Sequence, residues 1–463
     1  MANLDDGFAL LERHPTRVIW GLGTLFAIVY LASQTVAPGA TGRIINGDAI
    51  QYYAYLRSLT FDGDVDFAND YRLLYETDGP DAANNTWLTS ETPTGRAPNM
   101  MSIGPAILWA PAFLLVGGVV ALLRLLDLGV PLDGVAAPFK LAAGLASIVY
   151  ATAGVALTHA LCRRLFPALP SLWATLTAWL ATSAVYYTLV SPTYSHAAAL
   201  FTVSLFCHTW LRTRGQLRLT RYAWLGALAG LVGLVRWQDV IVVILPMAEL
   251  CHAVWRRELR VSDLAARAAS MAGVMMLALL PQALAWQAIY GQPILMPQGT
   301  AFMRWTDPAV GAVLFSLKRG VFVWTPAVLL AAAGARALIR RDRVVGWSAV
   351  VVVLVGLYVN AAVSDWWAGE SFGARRFISY TGLLALGLAA LFASSFWQAR
   401  VRALRWVSLG LVTYNLLFIL QYQLFLRGFA ELAAYPSTPR TVFVERLAVP
   451  WRLARYWLET LIA

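Results

Sequence analysis

The chain has 463 residues, of which 59% are hydrophobic and 13% charged, and apolar runs of spanning length recur from residue 18 to residue 425. That composition fits a polytopic helical membrane protein, because backbone in lipid must satisfy its own hydrogen bonds. The net charge of +11 is carried largely by short arginine clusters between apolar segments, which is where orientation signals belong, so nucleic acid is not expected as a partner.

The three cysteines, Cys162, Cys207 and Cys251, show no CxxC spacing, and neither a disulfide framework nor a thiolate metal site is indicated. At the N-terminus Arg13 and Arg17 precede a long apolar run without a clear small-residue cleavage site, which reads as an uncleaved first helix. Basic clusters follow at Arg163 and Arg164, Arg212 to Arg221, Arg256 to Arg267, Arg340 to Arg343, and Arg400 to Arg405. Placing all of them in the cytoplasm gives spans near 18–37, 138–161, 172–190, 195–211, 222–235, 239–251, 268–290, 321–339, 344–363, 378–397 and 405–425. The expected fold is therefore all-α, with about eleven transmembrane helices, the N-terminus inside and the C-terminus outside. The membrane domain covers 1–425, with a first outer loop at 38–137, and an amphipathic outer-face tail covers 426–463.

This topology requires residues 102–124 to return to the outer face or lie along it, although their hydropathy alone fits a span. Pro105, Pro111, Gly117 and Gly118 make a bent interfacial segment tolerable. A twelfth span is the alternative, and it would separate the first loop from the loop at residue 191. The run 222–251 is interrupted by Arg236, Trp237, Gln238 and Asp239. Burying Arg or Asp at the bilayer centre costs roughly 2.5–3.5 kcal/mol each, so these side chains are expected to face a wet cavity or each other.

The outer loops carry the unusual polar content. The first contains NGDAIQYYAYLRSLTFDGDVDF, residues 46–67, which places Asp48, Tyr52, Tyr53, Arg57, Asp62, Asp64 and Asp66 just after the first span. Asp48 is well placed to cap a helix starting at Ala49. Arg57 lies nine residues further on, about two and a half turns, on the opposite helix face, where lipid headgroups are its expected partners. The alternating Asp62, Asp64 and Asp66 lack the remaining ligands of an EF-hand, so a solvated loop is expected and a divalent metal is held in reserve. Further outer loops are SPTYSH, residues 191–196, and residues 291–320, with Gln298, Arg304, Asp307, Lys318 and Arg319. The last is SDWWAGESFGARRF, residues 364–377, where Asp365 and Glu370 accompany Trp366, Trp367, Arg375 and Arg376. Two adjacent outward arginines run against the positive-inside bias, and guanidinium forks match phosphate oxygens.

The Asp-bearing loop after the first helix, with NGDAIQYYAYLRSL as its motif, resembles that of the GT-C membrane glycosyltransferases. The broken helix pair and the late loops rich in Arg and Trp extend the resemblance over most of the chain. Protein O-mannosyltransferases, aminoarabinose transferases of lipid A and oligosaccharyltransferase catalytic subunits belong to this superfamily. The segment 102–124 is similar to its juxtamembrane helix, whereas the acceptor-binding soluble domain of some members has no counterpart. The resemblance implies an inverting enzyme of the plasma membrane that moves a sugar from a polyprenyl-phosphate carrier to a glycan, lipid or protein acceptor on the outer face. A carboxylate must then act as general base, and Asp48 matches that position. Arg375 and Arg376, with Arg236 and Arg319 behind them, would compensate the leaving phosphate. Tyr52, Tyr53, His196, Gln238, Asp239, Trp366, Trp367 and Glu370 are the expected pocket residues. No metal-ligand set is assigned.

A transporter or lipid-linked-sugar flippase is the alternative, with Arg236 and Asp239 lining a pathway, but no inverted repeat is visible in the hydropathy. An O-antigen ligase or polymerase would concentrate its essential residues in a large late loop, whereas here the strongest carboxylate motif is early. The tail RTVFVERLAVPWRLARYWLETLIA, residues 440–463, is expected to lie on the outer membrane surface as a lid or anchor.

Overall fold

A computed structural model describes residues 7–8, 11–36, 44–75, 89–127 and 129–462. The unassigned parts of the first loop, residues 38–43 and 76–88, fall outside them. Among the described residues the fold is all-helical, with one isolated β-bridge between Met303 and Val363. In chain order the helices are α1 (Pro15–Val36), α2 (Asp48–Arg57), α3 (Ala68–Leu74), α4 (Gly104–Leu125), α5 (Ala137–Arg163), α6 (Ala168–Leu180), α7 (Ala184–Leu189), α8 (Ser195–Arg212), α9 (Leu219–Val235) and α10 (Ile244–Trp255). They continue as α11 (Val261–Ala278), α12 (Leu280–Tyr290), α13 (Val310–Phe315), α14 (Val321–Trp324), α15 (Ala327–Arg341), α16 (Arg343–Ala361), α17 (Thr381–Phe392), α18 (Ser395–Gln398), α19 (Val401–Leu426), α20 (Pro439–Phe443) and α21 (Glu445–Ile462). Eight helical segments among the described residues are long and apolar enough to cross a membrane.

The described residues of the eleven expected spans fall largely on helix, but several spans are interrupted. The run 172–190 breaks between α6 and α7. The run 268–290 breaks at Leu279, just before Pro281, and 321–339 breaks at Thr325 and Pro326. A proline disfavours helix in the residue before it, which accounts for the break at Thr325, while Pro281 sits in the first turn of α12, where its missing amide donor is harmless.

The basic clusters gather at one end of the bundle. Arg405 and the indole of Trp173 both reach Glu12, at 2.6 and 2.8 Å. Arg214 pairs with Asp342, Arg341 donates to the carbonyl of Leu165 at 3.0 Å, and Arg267 to that of Leu217 at 2.7 Å. The helix α8 lies at the centre, packed on α5, α9, α17 and the 3-10 turn Arg375–Tyr380. Its Ser195 end and the Val235 end of α9 lie opposite the basic end.

Across the segment 102–124 the chain forms a continuous helix, α4, of 22 residues. Pro105 sits in its first turn, where a missing N–H is harmless, and Pro111 is accommodated inside. Its start is tied to α12 through the Ile103 amide and the Gln282 side chain, 2.7 Å apart. From there α4 runs antiparallel to the first half of α5, with Trp109 bonded to Ser147 at 2.8 Å and Tyr150 to the Leu108 carbonyl at 3.0 Å. It thus rises from the level of Ser195 toward the end of α5 remote from the basic clusters.

The tail is anchored to the bundle at its start. It folds back on α19, while Trp451, Trp457 and Leu458 further along α21 stay exposed. Gln421 bonds the carbonyls of Ala434 and Thr441 at 2.9 and 2.8 Å, and Arg446 is fully buried between the rings of Tyr414 and Phe418. A guanidinium stacked on aromatic faces is attracted to their ring quadrupoles, and the amphipathic period alone carries no sign of this contact.

Candidate functional site

At the end remote from the basic clusters, α2, α8, the α9 break and the loop before α17 enclose a cavity of about 250 Å³. Asp48, Tyr52, His196, Arg236, Gln238, Arg375 and Arg376 line it, joined by Ser195, Asn360 and Asp365. Residues more than three hundred positions apart are brought together there.

Asp48 occupies the first turn of α2. The preceding Gly47 has φ +53°, a conformation glycine adopts without strain, and the Tyr194 hydroxyl occupies the space a Cβ would need. Gly47 rather than Asp48 holds the cap position, and no side chain caps the helix. The Asp48 carboxylate instead accepts from Arg375 at 2.7 Å, so the capping role is not the one its side chain takes. Arg375 is fixed further by the Tyr194 ring, 5.3 Å away. Its Nε is buried without a hydrogen-bond partner among the described residues.

Helix α9 stops because Arg236 is extended, with φ −152° and ψ 103°, and a 3-10 turn over Trp237–Val243 follows. The break turns the Arg236 side chain into the cavity, where Nη1 meets His196 Nδ1 at 2.9 Å. Behind it the guanidinium pairs with Asp239 at 3.2 Å, and Asp239 accepts from Ser379 at 2.5 Å. Both expectations for this segment therefore hold together: an internal ion pair and a cavity wall. Arg376 is held by the side chain of Asp365 at 2.7 Å and its carbonyl at 2.9 Å. Tyr52 donates to Ser195 at 3.0 Å, tying α2 to α8.

Other expected site residues lie elsewhere. Tyr53 turns away from the cavity, donates to the Gly134 carbonyl at 2.8 Å and packs on Phe113. Arg319, buried to 2% exposure, braces the last loop through the Trp367 and Gly369 carbonyls, Glu370 at 3.0 Å and Tyr435 at 3.2 Å. Glu370 accepts from Arg319 there while its side chain stays largely exposed. Trp366 and Trp367 line a small adjoining cleft with Arg319, Asn360, Arg375 and Arg376. Asp239 lies behind the cavity wall rather than on it.

Arg57 is not available to headgroups: it is buried against Asp62 and Asp70, with Asp70 at 2.9 Å. Burial pushes the Asp70 carboxyl up to about 6 in spite of the guanidinium. Asp64 accepts from the Ser58 hydroxyl at 2.8 Å and the Asp66 amide at 3.0 Å, so this stretch ties off its own turn. Among the described residues no cluster of His, Cys, Asp and Glu is arranged to hold a metal ion.

The sequence reading missed Asn360 and Ser379, which carry no local signal in apolar runs, and did not assign Ser195, although it lies in the SPTYSH segment. Asp365 was visible beside the tandem arginines but was not assigned to the site. No protein-family profile and no curated protein sequence matches the chain.

Proposed function

We propose that this protein is an inverting glycosyltransferase of the GT-C type, which moves a sugar from a polyprenyl-phosphate carrier to an acceptor hydroxyl or amine at the outer face of the plasma membrane. The observation that carries the reading is the Asp48 carboxylate on the wall of a cavity that also presents Arg236, Arg375 and Arg376. An inverting transfer needs those two functions side by side. The carboxylate takes the acceptor's proton as the acceptor oxygen or nitrogen bonds to the anomeric carbon, and the bond from that carbon to the phosphate oxygen breaks on the opposite face. The electron pair leaves with the phosphate, where fixed guanidinium groups stabilise it.

Beside the arginines, an apolar groove of about 300 Å³ runs between α15, α16 and α17, lined by Phe322, Val328, Val353, Leu357, Phe377 and Leu384. The cleft of Trp366 and Trp367 joins it to Arg375 and Arg376, and Phe377 borders both. An isoprenoid tail in that groove would bring its phosphate to the arginines. A transport pathway is less well supported, since the Asp239 and Ser379 pair behind Arg236 is fully buried in packed helices.

The test is consumption of radiolabelled polyprenyl-phosphate monosaccharides by purified wild type and Asp48→Asn in nanodiscs. The wild type is expected to consume one donor, and the variant to lose about 10²-fold or more in turnover while still binding it. Near-normal turnover in the variant would return Asp48 to a structural role.

A further inference from the structure

His196 is 2% exposed, lies on the cavity wall, and is oriented by groups that leave its ring one protonation pattern. Arginine has hydrogens to donate and no lone pair to accept with. The 2.9 Å contact between Arg236 Nη1 and His196 Nδ1 therefore makes Nδ1 the acceptor, so a neutral ring must carry its hydrogen on Nε2. Arg236 cannot easily turn away, being paired with Asp239 at 3.2 Å, which in turn accepts from Ser379. The imidazole plane is set by Tyr187, edge-on at 4.7 Å between centroids, and by the parallel ring of Tyr194 at 6.4 Å. Among the described residues Nε2 has no hydrogen-bond partner. Nε2–H is therefore left for an acceptor within the cavity that His196 lines, where a ligand oxygen can take the place of water.

We infer that His196 is a sugar-binding residue whose Nε2–H, locked in place by Arg236, donates to a hydroxyl or ring oxygen of the transferred sugar. This rests on the transferase reading and assigns a substrate contact within it. A neutral donor suits a neutral oxygen, while Arg375 and Arg376 on the same cavity supply the charge that a phosphate requires. The chain Ser379, Asp239, Arg236, His196 thereby couples the helix break to recognition of the sugar.

The experiment begins with nitrogen-15 NMR of histidine-labelled protein in nanodiscs, with the His196 signals assigned by their loss in His196→Gln. The expected result is an unprotonated Nδ1 and a protonated Nε2 whose shift moves when the donor consumed by the wild type is added. A protonated Nδ1, or an Nε2 that stays still at saturating donor, overturns the assignment. Donor affinity gives the second readout. His196→Phe should bind about tenfold more weakly, the value of one hydrogen bond, and His196→Gln, whose amide N–H reaches the same place, should recover most of it. Equal affinities for wild type and His196→Phe would also overturn it. If the wild type consumes no donor, the transferase reading fails, and with it the sugar contact, whereas the tautomer result separately decides whether the lock exists.

Discussion

At the scale of residues, each guanidinium lining the cavity is matched with a carboxylate: Arg375 with Asp48, Arg376 with Asp365 and Arg236 with Asp239. Pairing makes it affordable to bury such charges, since an isolated ion in a low-dielectric interior is expensive. Arg57 follows the same rule outside the cavity, but there burial outweighs the pairing. The Asp70 carboxyl titrates near 6 in the fold and near 3.8 when unfolded, so between those values the folded chain binds more protons. Its stabilising contribution is complete below about 3.8 and is lost as pH rises through about 6. The melting temperature of Asp70→Asn relative to wild type should therefore climb between pH 4.5 and 7. A difference that is flat or falls with pH would show that Arg57 keeps Asp70 ionised throughout.

At the scale of elements, the site depends on helices that stop where they do. The extended backbone at Arg236 ends α9 and aims a charge inward, and the 3-10 turn at Arg375–Tyr380 delivers two arginines before α17 begins. Close helix contact sets where α17 lies. Gly334 of α15 packs so tightly on α17 that a Cβ there would collide with the carbonyl oxygen of Gly387. Small residues allow such approaches between membrane helices. Gly334→Ala should lower stability by about 1–3 kcal/mol, read as a lower melting temperature, and weaken donor binding by displacing Arg375 and Arg376. Gly410→Ala, in open space on α19, is the control and should leave both unchanged. Equal behaviour of the two variants would mean that the α15 and α17 contact does not position the arginines.

At the scale of the whole molecule, the basic clusters share one end and the cavity lies toward the other, and the proposed orientation puts the basic end in the cytoplasm. Single cysteines placed at the two ends, with Cys162, Cys207 and Cys251 replaced, convert that polarity into a measurement. Lys318→Cys, beside the last outer loop, is expected to react with a membrane-impermeant maleimide in intact cells. Ser395→Cys, at the start of α18, should react only after the cells are opened. Labelling of both from one side, or the reverse order, would refute the proposed orientation.

By itself the sequence determined the helical class, the positions of the long apolar segments and the grouping of the arginines, because hydropathy and charge act locally along the chain. It also pointed to Asp48, His196, Arg236, Arg375 and Arg376, each conspicuous as a polar group beside an apolar run. The tertiary structure alone decided which of these meet. Tyr52 faces the cavity while its neighbour Tyr53 packs on Phe113, since adjacent residues on a helix point about 100° apart and only the packing partners choose between them. Arg319, ranked behind Arg375 as a phosphate partner, is taken up by carbonyls of a loop some fifty residues away. The route of α4 was likewise settled by its contacts with α5 and α12. Hydropathy measures affinity for lipid, and it does not record the neighbour against which a helix lies.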